Sequence, residues 1–436
     1  MDRYKIFLSY VIPSVLAFAL SGVYAIVDGF FVGNSVGDIG LSTINVAYPV
    51  VSLIQSLGTG IGMGGAVLYS IRLAMGEKKK ANEYMDATIN LLLFFSIVVT
   101  IFVLLFLTPI LKLLGAENDL LVLGKDYVRI IVVGSVFQIF GTGLLPLIRN
   151  NNGSTFAMLI MVFGFAINIL LDYFFVWRFE WGIAGAAAAT VIGQAVTMIG
   201  GLYYLWRHRL PMGKFSKESL SLYGGIARIG LAPFGINISP IISLVFINRC
   251  AMAYGGELAV ACYACISYMV TILYYFMQGV GDGSQPLMSQ YYGEGNWSAV
   301  KQIRRYAYIL SEILTLVGAG ILFLGRWQIG AIFGASEQVS QMVAEAIPIF
   351  LVGLLFLSFA RIITSGFYAT ANGLFSYILV YAEPVFLFFL LLILPEIGGQ
   401  GYVWWSVAGA QLITSAVAFG LKMHSDKQNT KKYGYT

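Results

Sequence analysis

Four polar side chains in the sequence have the types and spacing of an ion-binding site. Asn168 and Asp172 stand four residues apart in the stretch NILLDYFFVW, so a helix would carry both on one face. Asp28 lies one helical turn after Tyr24 in an earlier apolar run, and Thr190 lies in a later one. A carboxylate at the centre of a membrane helix costs roughly 2.5–3.5 kcal/mol on an insertion scale, and such residues are by default candidates for an ion or substrate path.

The chemistry of this set is specific if its members meet. Two carboxyl groups in a low-dielectric pocket cannot both stay charged without a partner, so one holds a proton or a cation lies between them. The amide oxygen of Asn168 and the hydroxyl of Thr190 would add neutral oxygen ligands, which suit Na⁺, whereas a proton suffices if fewer oxygens are in reach. The pattern therefore predicts a site whose charge changes on loading, and it leaves H⁺ and Na⁺ both open.

The composition places these residues in a membrane. The 436 residues are 58% hydrophobic and 11% charged, with a mean hydropathy of +0.81, whereas soluble domains are about a quarter charged. Nine uncharged runs are near or above the roughly 20 residues that span a bilayer, and three further runs lie near 304–325, 344–364 and 374–395. We expect an all-α polytopic membrane protein of 12 transmembrane helices, surrounded by the lipid bilayer.

The basic residues predict the orientation of these helices. Of the 26 Lys and Arg residues, 20 fall in the N-terminal segment, alternate loops and the C-terminal segment. The positive-inside rule then places Met1, the segment 207–223 and Thr436 in the cytoplasm. The net charge of +5 follows from this asymmetry. Because the charges are spread over short segments, nucleic acid is not an expected partner.

The two halves of the sequence repeat each other. The stretches GIGMGGAVLYSIRLAMG from Gly60 and GVGDGSQPLMSQYYGEG from Gly279 share glycines at an offset of 219, and Pro13 meets Pro233 at an offset of 220. Six spans in each half make a parallel repeat, a design that places the substrate site between two lobes near the midplane. We therefore expect a V-shaped cavity between the lobes. The predicted domains are an N-terminal lobe (1–206), a cytoplasmic linker (207–223) and a C-terminal lobe (224–436).

Little in the sequence favours catalysis. A membrane enzyme would normally carry His or clustered acids at the interface, whereas His208 and His424 stand alone in polar segments. The Cys262-x-x-Cys265 pair lies in an apolar run with no His nearby, so packing is favoured over a redox or zinc site. We predict no enzyme activity, no catalytic residue, no cofactor, and no metal ion other than Na⁺ as a coupling ion.

With these residues, the chain resembles the multidrug and toxic compound extrusion (MATE) family, in its DinF-like branch and near the MepA-like members. The resemblance covers nearly the whole chain. In that branch a first-helix Asp, a fifth-helix Asn-x-x-x-Asp and a sixth-helix Thr form the cation site of the N-terminal lobe. They correspond to Asp28, to Asn168 and Asp172, and to Thr190, and the family's hinge proline corresponds to Pro13.

This resemblance implies secondary active efflux of drugs and amphipathic organic cations by H⁺ or Na⁺ antiport through alternating access. It implies antibiotic resistance as a consequence, a location in the plasma (inner) membrane of a bacterium or archaeon, small-molecule substrates and a monomer. A flippase for lipid-linked saccharides of the same superfamily is the alternative. A flippase would favour a basic cavity, and the sequence contains no cluster of buried Arg.

The C-terminal half departs from a second branch of the family. NorM-like members carry carboxylates in the seventh and tenth helices, where this chain offers Asn248 and Arg361. The coupling site is therefore expected in the N-terminal lobe. Two alternatives are open for Glu383 in YAEPVF, namely contact with a cationic substrate or pairing with Arg361. Asp282 is interpreted either as a solvated hinge position or as part of a cavity lining.

Aromatic and Met side chains facing the cavity would bind flat, lipophilic cations with little shape selection. Most such side chains in a membrane protein pack against lipid or core. The candidate cavity residues are Tyr24, Tyr48, Met63, Phe140, Met277, Gln278, Asp282 and Glu383.

Overall fold

A computed structural model describes residues 3–433 of the chain, and this part is almost entirely helical, with no β-strand. The terminal residues Met1 and Thr436, which are expected in the cytoplasm, lie outside the described residues. The helices are α1 (Arg3–Val36), α2 (Asp38–Ala74), α3 (Lys78–Leu105), α4 (Leu107–Leu113), α5 (Asn118–Val133), α6 (Ser135–Arg149), α7 (Ser154–Asp172), a π-helical segment (Tyr173–Arg178), α8 (Gly182–Arg207), α9 (Lys217–Gly293), α10 (Trp297–Leu324), α11 (Arg326–Ile332), α12 (Glu337–Ala369), α13 (Gly373–Gly398) and α14 (Gln400–Tyr433).

The predicted twelve spans can all be found among these helices. Within the described residues ten helices are long and apolar enough to cross a bilayer, and the pair α5 and α6, bent by 53°, adds an eleventh. Helix α9 has 77 residues and would be about 115 Å long if straight, far more than a bilayer needs. It breaks at Gly256, whose φ of 63° is left-handed and easily adopted only by glycine. Counting its two arms separately gives twelve spans.

The surface of these helices fits an apolar solvent. Large apolar side chains are strongly exposed, as for Leu105 (73%), Leu324 (79%) and Ile397 (72%). Burying a side chain of this size is worth about 1.5–3 kcal/mol in water. Exposed groups of this kind are stable if lipid tails cover them. The exposure therefore agrees with the transmembrane assignment.

Contacts divide the chain into two compact units. The N unit consists of Ala19–Phe234, and the C unit consists of Met1–Phe18 together with Gly235–Thr436. The division thus falls inside α1 and inside α9, shortly after Pro13 and Pro233 respectively. The lobe boundaries drawn from the sequence repeat remain a prediction, whereas these units follow the packing.

In the C unit, the beginning of α1 packs on the glycine-rich part of α9. A Cβ atom at Gly279 would lie 2.6 Å from the Cα of Val15, and one at Gly283 would lie 2.8 Å from the Cα of Val11. Phe7 and Val11 are completely buried in this contact. The absence of side chains on these glycines allows the two helix backbones to touch.

The N unit contains the equivalent contact between α2 and the beginning of α9. A Cβ atom at Gly60 would lie 2.9 Å from the carbonyl oxygen of Gly230, and one at Gly64 would collide with the carbonyl oxygen of Ile226. Gly60 and Gly279 are the positions related by the offset of 219. The glycine repeat found in the sequence therefore has the same role in both units, which is to receive the first part of a proline-containing helix.

The segment between α8 and α9 is tied to the N unit. Oδ1 of Asp86 on α3 accepts hydrogen bonds from the backbone N–H groups of Gly213 and Lys214, both at 2.8 Å. A carboxylate that accepts two backbone N–H groups makes charge-assisted bonds, which are stronger than neutral ones. The polar linker is therefore held against α3 in this part of its length.

Candidate ion-coupling site

Two carboxyl groups meet inside the N unit. Asp28 on α1 and Asp172 at the end of α7 lie within hydrogen-bonding reach of each other. Asp172 has no accessible surface, and Asp28 is half-buried. Among the described residues, no donor reaches Oδ1 of Asp28 or either carboxylate oxygen of Asp172. Two acceptors that face each other without a donor require a proton or a cation between them.

The backbone changes its helical form directly after Asp172. Helix α7 ends there and continues as the π-helical segment Tyr173–Arg178. The hydroxyl of Ser35 on α1 donates a hydrogen bond to the carbonyl oxygen of Val176 at 3.0 Å, which ties the segment to α1. Short π-helical insertions are rare and frequently occur at functional sites. The segment that follows Asp172 is therefore held against α1, the helix that carries Asp28.

Asn168 is held one turn before Asp172 by a close crossing of α7 and α8. A Cβ atom at Gly193 would lie 2.9 Å from the carbonyl oxygen of Gly164 and 3.0 Å from the Cβ of Asn168. Asn168 is 2% exposed, and within the described chain neither atom of its amide group has a hydrogen-bond partner. The small residues at this crossing allow the two helices to pack closely. The amide is therefore free to serve an ion or a proton carrier.

Thr190 joins the site through Tyr24. The hydroxyl groups of the two residues are hydrogen-bonded, and the Tyr24 ring stacks on Phe165 of α7 with centroids 4.8 Å apart. Tyr24 and Asp172 also interact electrostatically. The structure thus brings together Asp28, Asn168, Asp172 and Thr190 in one unit, with Tyr24 beside them. Tyr24 is then part of this polar cluster, although the sequence places it only among the candidate cavity residues.

Tyr127 on α5 is a member of the cluster that the sequence motifs miss. It is 5% exposed and lies close enough to both Asp28 and Asp172 for electrostatic interaction. Its neighbours Lys125 and Asp126 make the stretch GKDYVRII read as polar. The signal that finds it is the helical period, because Gly124, Tyr127, Val128 and Ile131 share the buried face of α5.

Three of the candidate cavity residues lie in packed interiors. Met63 is 0% exposed, Met277 is 1% exposed, and Phe140 is buried in the core of the N unit. Close packing against neighbouring helices takes these side chains away from any open wall in this structure. Tyr48, by contrast, is 50% exposed.

The polar candidates of α9 form a hydrogen-bonded group in the C unit. The hydroxyl of Tyr368 on α12 donates to Oδ1 of Asp282 at 2.9 Å, and the amide of Gln278 approaches Oδ2 at 3.5 Å. Asp282 is 2% exposed. Of the two interpretations of Asp282, the solvated hinge position is therefore wrong for this structure.

Glu383 is paired with Arg361. One guanidinium nitrogen lies 3.6 Å from a carboxylate oxygen, and both side chains are mostly buried. Of the two alternatives for Glu383, the structure has the pairing. Pro13 lies within α1 and its neighbourhood is helical throughout, so the structure places the proposed hinge without testing its motion.

Comparison with known proteins gives a family and a fold. The family model MatE matches residues 13–174 and 231–390. The multidrug export protein MepA of Staphylococcus aureus (strain MRSA252) is 21% identical over 421 residues, which cover 95% of this chain and 92% of that protein. MepA of Staphylococcus haemolyticus (strain JCSC1435) is 21% identical over 418 residues with the same coverage.

Solved structures agree with this result. A transporter of the MOP superfamily from Pyrococcus furiosus superposes with a TM-score of 0.92 at 22% identity, covering 99% of this chain and 97% of that chain. An outward-facing multidrug resistance MATE transporter superposes with a TM-score of 0.91 at 22% identity, covering 100% and 98%. At this level of identity the likeness shows the fold, with two helical lobes.

Proposed function

Because the chain belongs to the MatE family, we propose that it is a secondary active transporter that exports drugs and amphipathic organic cations in exchange for H⁺ or Na⁺. The observation that carries the proposal is the pair Asp28 and Asp172. Their carboxyl groups lie within hydrogen-bonding reach of each other in the N unit, and Oδ1 of Asp28 and both carboxylate oxygens of Asp172 have no donor among the described residues. An internal site that needs a proton or cation to be stable is suited to couple an ion gradient to another movement.

The coupling follows from the cost of the empty site. Two uncompensated carboxylates in a low-dielectric interior repel each other, and each has lost its hydration, so the doubly charged state is strongly disfavoured. A proton or Na⁺ removes one of these charges. Loading from outside would therefore favour one conformation, and release of the ion inside would favour another that binds new substrate. The membrane potential adds roughly 2.3 kcal/mol per charge per 100 mV.

The available oxygens leave both ions as candidates. The unpartnered atoms of Asp28 and Asp172, with Oδ1 of Asn168, supply several oxygens for Na⁺. Thr190 is hydrogen-bonded to Tyr24, and its hydroxyl oxygen keeps a lone pair that could add a further ligand for Na⁺. A proton needs none of these additional oxygens. No further cofactor is part of the proposal.

The charges of the loops support the proposed orientation in the membrane. The chain would act as a monomer in the plasma membrane of a bacterium or archaeon, with both termini in the cytoplasm. The 20-to-6 distribution of the 26 basic residues supports this orientation.

The test is transport by the purified chain in proteoliposomes loaded with ethidium. A Na⁺ gradient and a H⁺ gradient are imposed separately, and the rate of dye movement is followed by fluorescence. We expect one of the two gradients to drive transport, and Asp172→Asn to abolish the response. Glu312→Gln is the matched control, because Glu312 is a half-buried acid of the C unit that accepts a hydrogen bond from Ser358. A rate of dye movement that is the same with and without each gradient would contradict the proposal.

A further inference from the structure

The ion pair Arg361–Glu383 lies deep within the helices of the C unit. Arg361 stands eight residues before the end of α12 and Glu383 stands ten residues after the start of α13. At 1.5 Å per residue these positions are about 12 and 15 Å from the helix ends, close to the middle of a bilayer. The side chains keep 15% and 16% of their surface accessible. The pair is thus mostly buried, but part of its surface is still accessible to a ligand.

The pair is poorly satisfied for its depth. The 3.6 Å separation is too long for a hydrogen bond. Elsewhere in the described chain the guanidinium has only the ring of Tyr274, 5.6 Å from its central carbon. A guanidinium has five N–H donors, and a carboxylate accepts about four hydrogen bonds. Both groups therefore have most of their bonding capacity free for a ligand.

A second ion pair of the same unit shows what a structural pair looks like here. Arg304 on α10 approaches both carboxylate oxygens of Asp426 on α14, at 2.6 and 2.8 Å. Lys422 adds a further contact to the same carboxylate at 3.4 Å. This pair is short and its acid is shared between two cations. The looseness of Arg361–Glu383 is therefore not a general property of ion pairs in the unit.

The surroundings add one more donor and flat aromatic walls. The amide of Gln411 donates to the hydroxyl of Tyr274 at 3.0 Å, and no acceptor for the hydroxyl's own hydrogen lies within the described residues. Gln411 is 2% exposed, and its own Oε1 has no hydrogen-bond partner within the described residues. Tyr263, which interacts electrostatically with Glu383, has ring centroids of Phe350 and Trp404 at 5.9 Å.

Charge balance selects the class of ligand. A lone cation bound at Glu383 would leave Arg361 without a counterion. A lone anion bound at Arg361 would in the same way leave Glu383 without one. A buried charge that loses its partner is strongly unfavourable. A ligand with both charges replaces each partner and leaves the net charge of the site unchanged.

We propose that Arg361 and Glu383 form a binding site for zwitterionic aromatic amphiphiles, in which the guanidinium binds the ligand's carboxylate and Glu383 its cationic group. The hydroxyl of Tyr274 donates to the same carboxylate, and the Tyr263 and Tyr274 rings line the site. The inference rests on the proposed transport function and specifies part of its substrate range.

The test compares two dyes that differ by one charge. Rhodamine B carries a carboxylate and a delocalised cation, whereas its ethyl ester keeps only the cation. Binding to the purified full chain is measured by fluorescence anisotropy, with no gradient present. We expect Arg361→Gln to weaken rhodamine B binding at least about tenfold, the scale of a lost charge-assisted hydrogen bond. The cationic ester should bind as tightly as before or more tightly, because a cation at Glu383 no longer leaves Arg361 without a counterion. Glu312→Gln, which alters an acid outside the site, should change neither.

A charge exchange distinguishes loss of the binding site from misfolding of the variant. Arg361→Gln fills the site with a neutral side chain, whereas the double variant Arg361→Glu with Glu383→Arg restores both charges and should recover rhodamine B binding. Equal loss for both dyes, or no loss for rhodamine B in a folded Arg361→Gln variant, would overturn the inference. Neither outcome touches the gradient response of the Asp28–Asp172 site, so failure here and failure of the proposed function are separable.

Discussion

Ser239 on α9 donates a hydrogen bond to the carbonyl oxygen of Val380 at 3.0 Å. Val380 precedes Pro384 by four residues, and proline has no N–H group to satisfy that carbonyl. The thiol of Cys250 approaches the carbonyl of Leu391 at 3.7 Å, and Leu391 has the same relation to Pro395. The first arm of α9 thus compensates both prolines of α13, and one of them follows Glu383 directly.

This relationship predicts a conditional effect of Ser239→Ala. The variant should lower the free energy of unfolding by about 1 kcal/mol, because the Val380 carbonyl is left without a donor. In a Pro384→Ala background the restored amide satisfies that carbonyl, so the same substitution should cost less. Thermal unfolding of the four proteins in one detergent gives the comparison. An equal loss in both backgrounds would show that Ser239 contributes through packing alone.

The carboxyl pair predicts a separation of folding from transport. Asp28→Asn and Asp172→Asn each place an amide donor opposite the remaining carboxylate, so both variants should fold and resist heat at least as well as the parent. The introduced Asn cannot titrate or change charge in either variant, so gradient-driven dye efflux should fall to the level of protein-free liposomes. Efflux at the parent rate in both variants, at equal protein content, would remove this pair as the coupling site.

Thr190→Ala distinguishes the two coupling ions. Its loss frees the hydroxyl of Tyr24 and removes one oxygen from the cluster. If Na⁺ is the ion, the Na⁺ concentration for half-maximal transport should rise by up to about tenfold, as for a single neutral contact. Thr190→Ser keeps the hydroxyl and should behave like the parent. If H⁺ is the ion, Thr190→Ala should leave Na⁺ without influence on the rate.

Pro13→Ala tests the hinge in α1. The helix passes from the C unit to the N unit between Phe18 and Ala19, and proline weakens the preceding turn by removing one hydrogen bond. The variant should bind dye normally and transport it more slowly. Pro49→Ala is the matched control, because Pro49 lies in a helix that stays in the N unit. Equal slowing by both substitutions would contradict a special role for Pro13.

Gly279→Ala tests the backbone contact of α9 with α1. The added methyl group would lie 2.6 Å from the Cα of Val15, so the helices must separate, at a cost of about 1–3 kcal/mol of stability. Gly420→Ala has nothing within 4 Å of the new atom and should gain about 0.5–1 kcal/mol. Unfolding midpoints measure both. A neutral Gly279→Ala would mean that the contact yields easily.

The sequence predicts a large part of this architecture because its strongest signals are local. Runs of apolar residues and the glycine offset correctly indicate an all-helical membrane protein with two related lobes, and the resemblance to the MATE family is confirmed. The breaks are less visible in the sequence. Gly134, between α5 and α6, and the left-handed Gly256 have no neighbours that distinguish them from the other glycines of the chain.

The site is predicted in part for the same reason. Acids and amides inside apolar runs are conspicuous, so the proximity of Asp28 and Asp172 follows from their type and their family positions. Tyr127 is not found by the sequence motifs, because its immediate neighbours are charged and only one face of its helix is buried. Met63 and Met277, which the sequence analysis assigns to the cavity, are buried in this structure. The type of a large apolar side chain alone does not show whether it lines a cavity or packs in a core.

The way α1 and α9 change units also bears on how a chain of this kind arises. Each unit is completed by the opening segment of the helix that begins the other half of the sequence. Two separate six-helix subunits with this packing would form a domain-swapped dimer, in which each copy lends its first helical turns to its partner. Joining the copies by the linker converts that exchange into a connection within one polypeptide. A chain cut within 207–223 should therefore yield two fragments that are incomplete alone and complementary together.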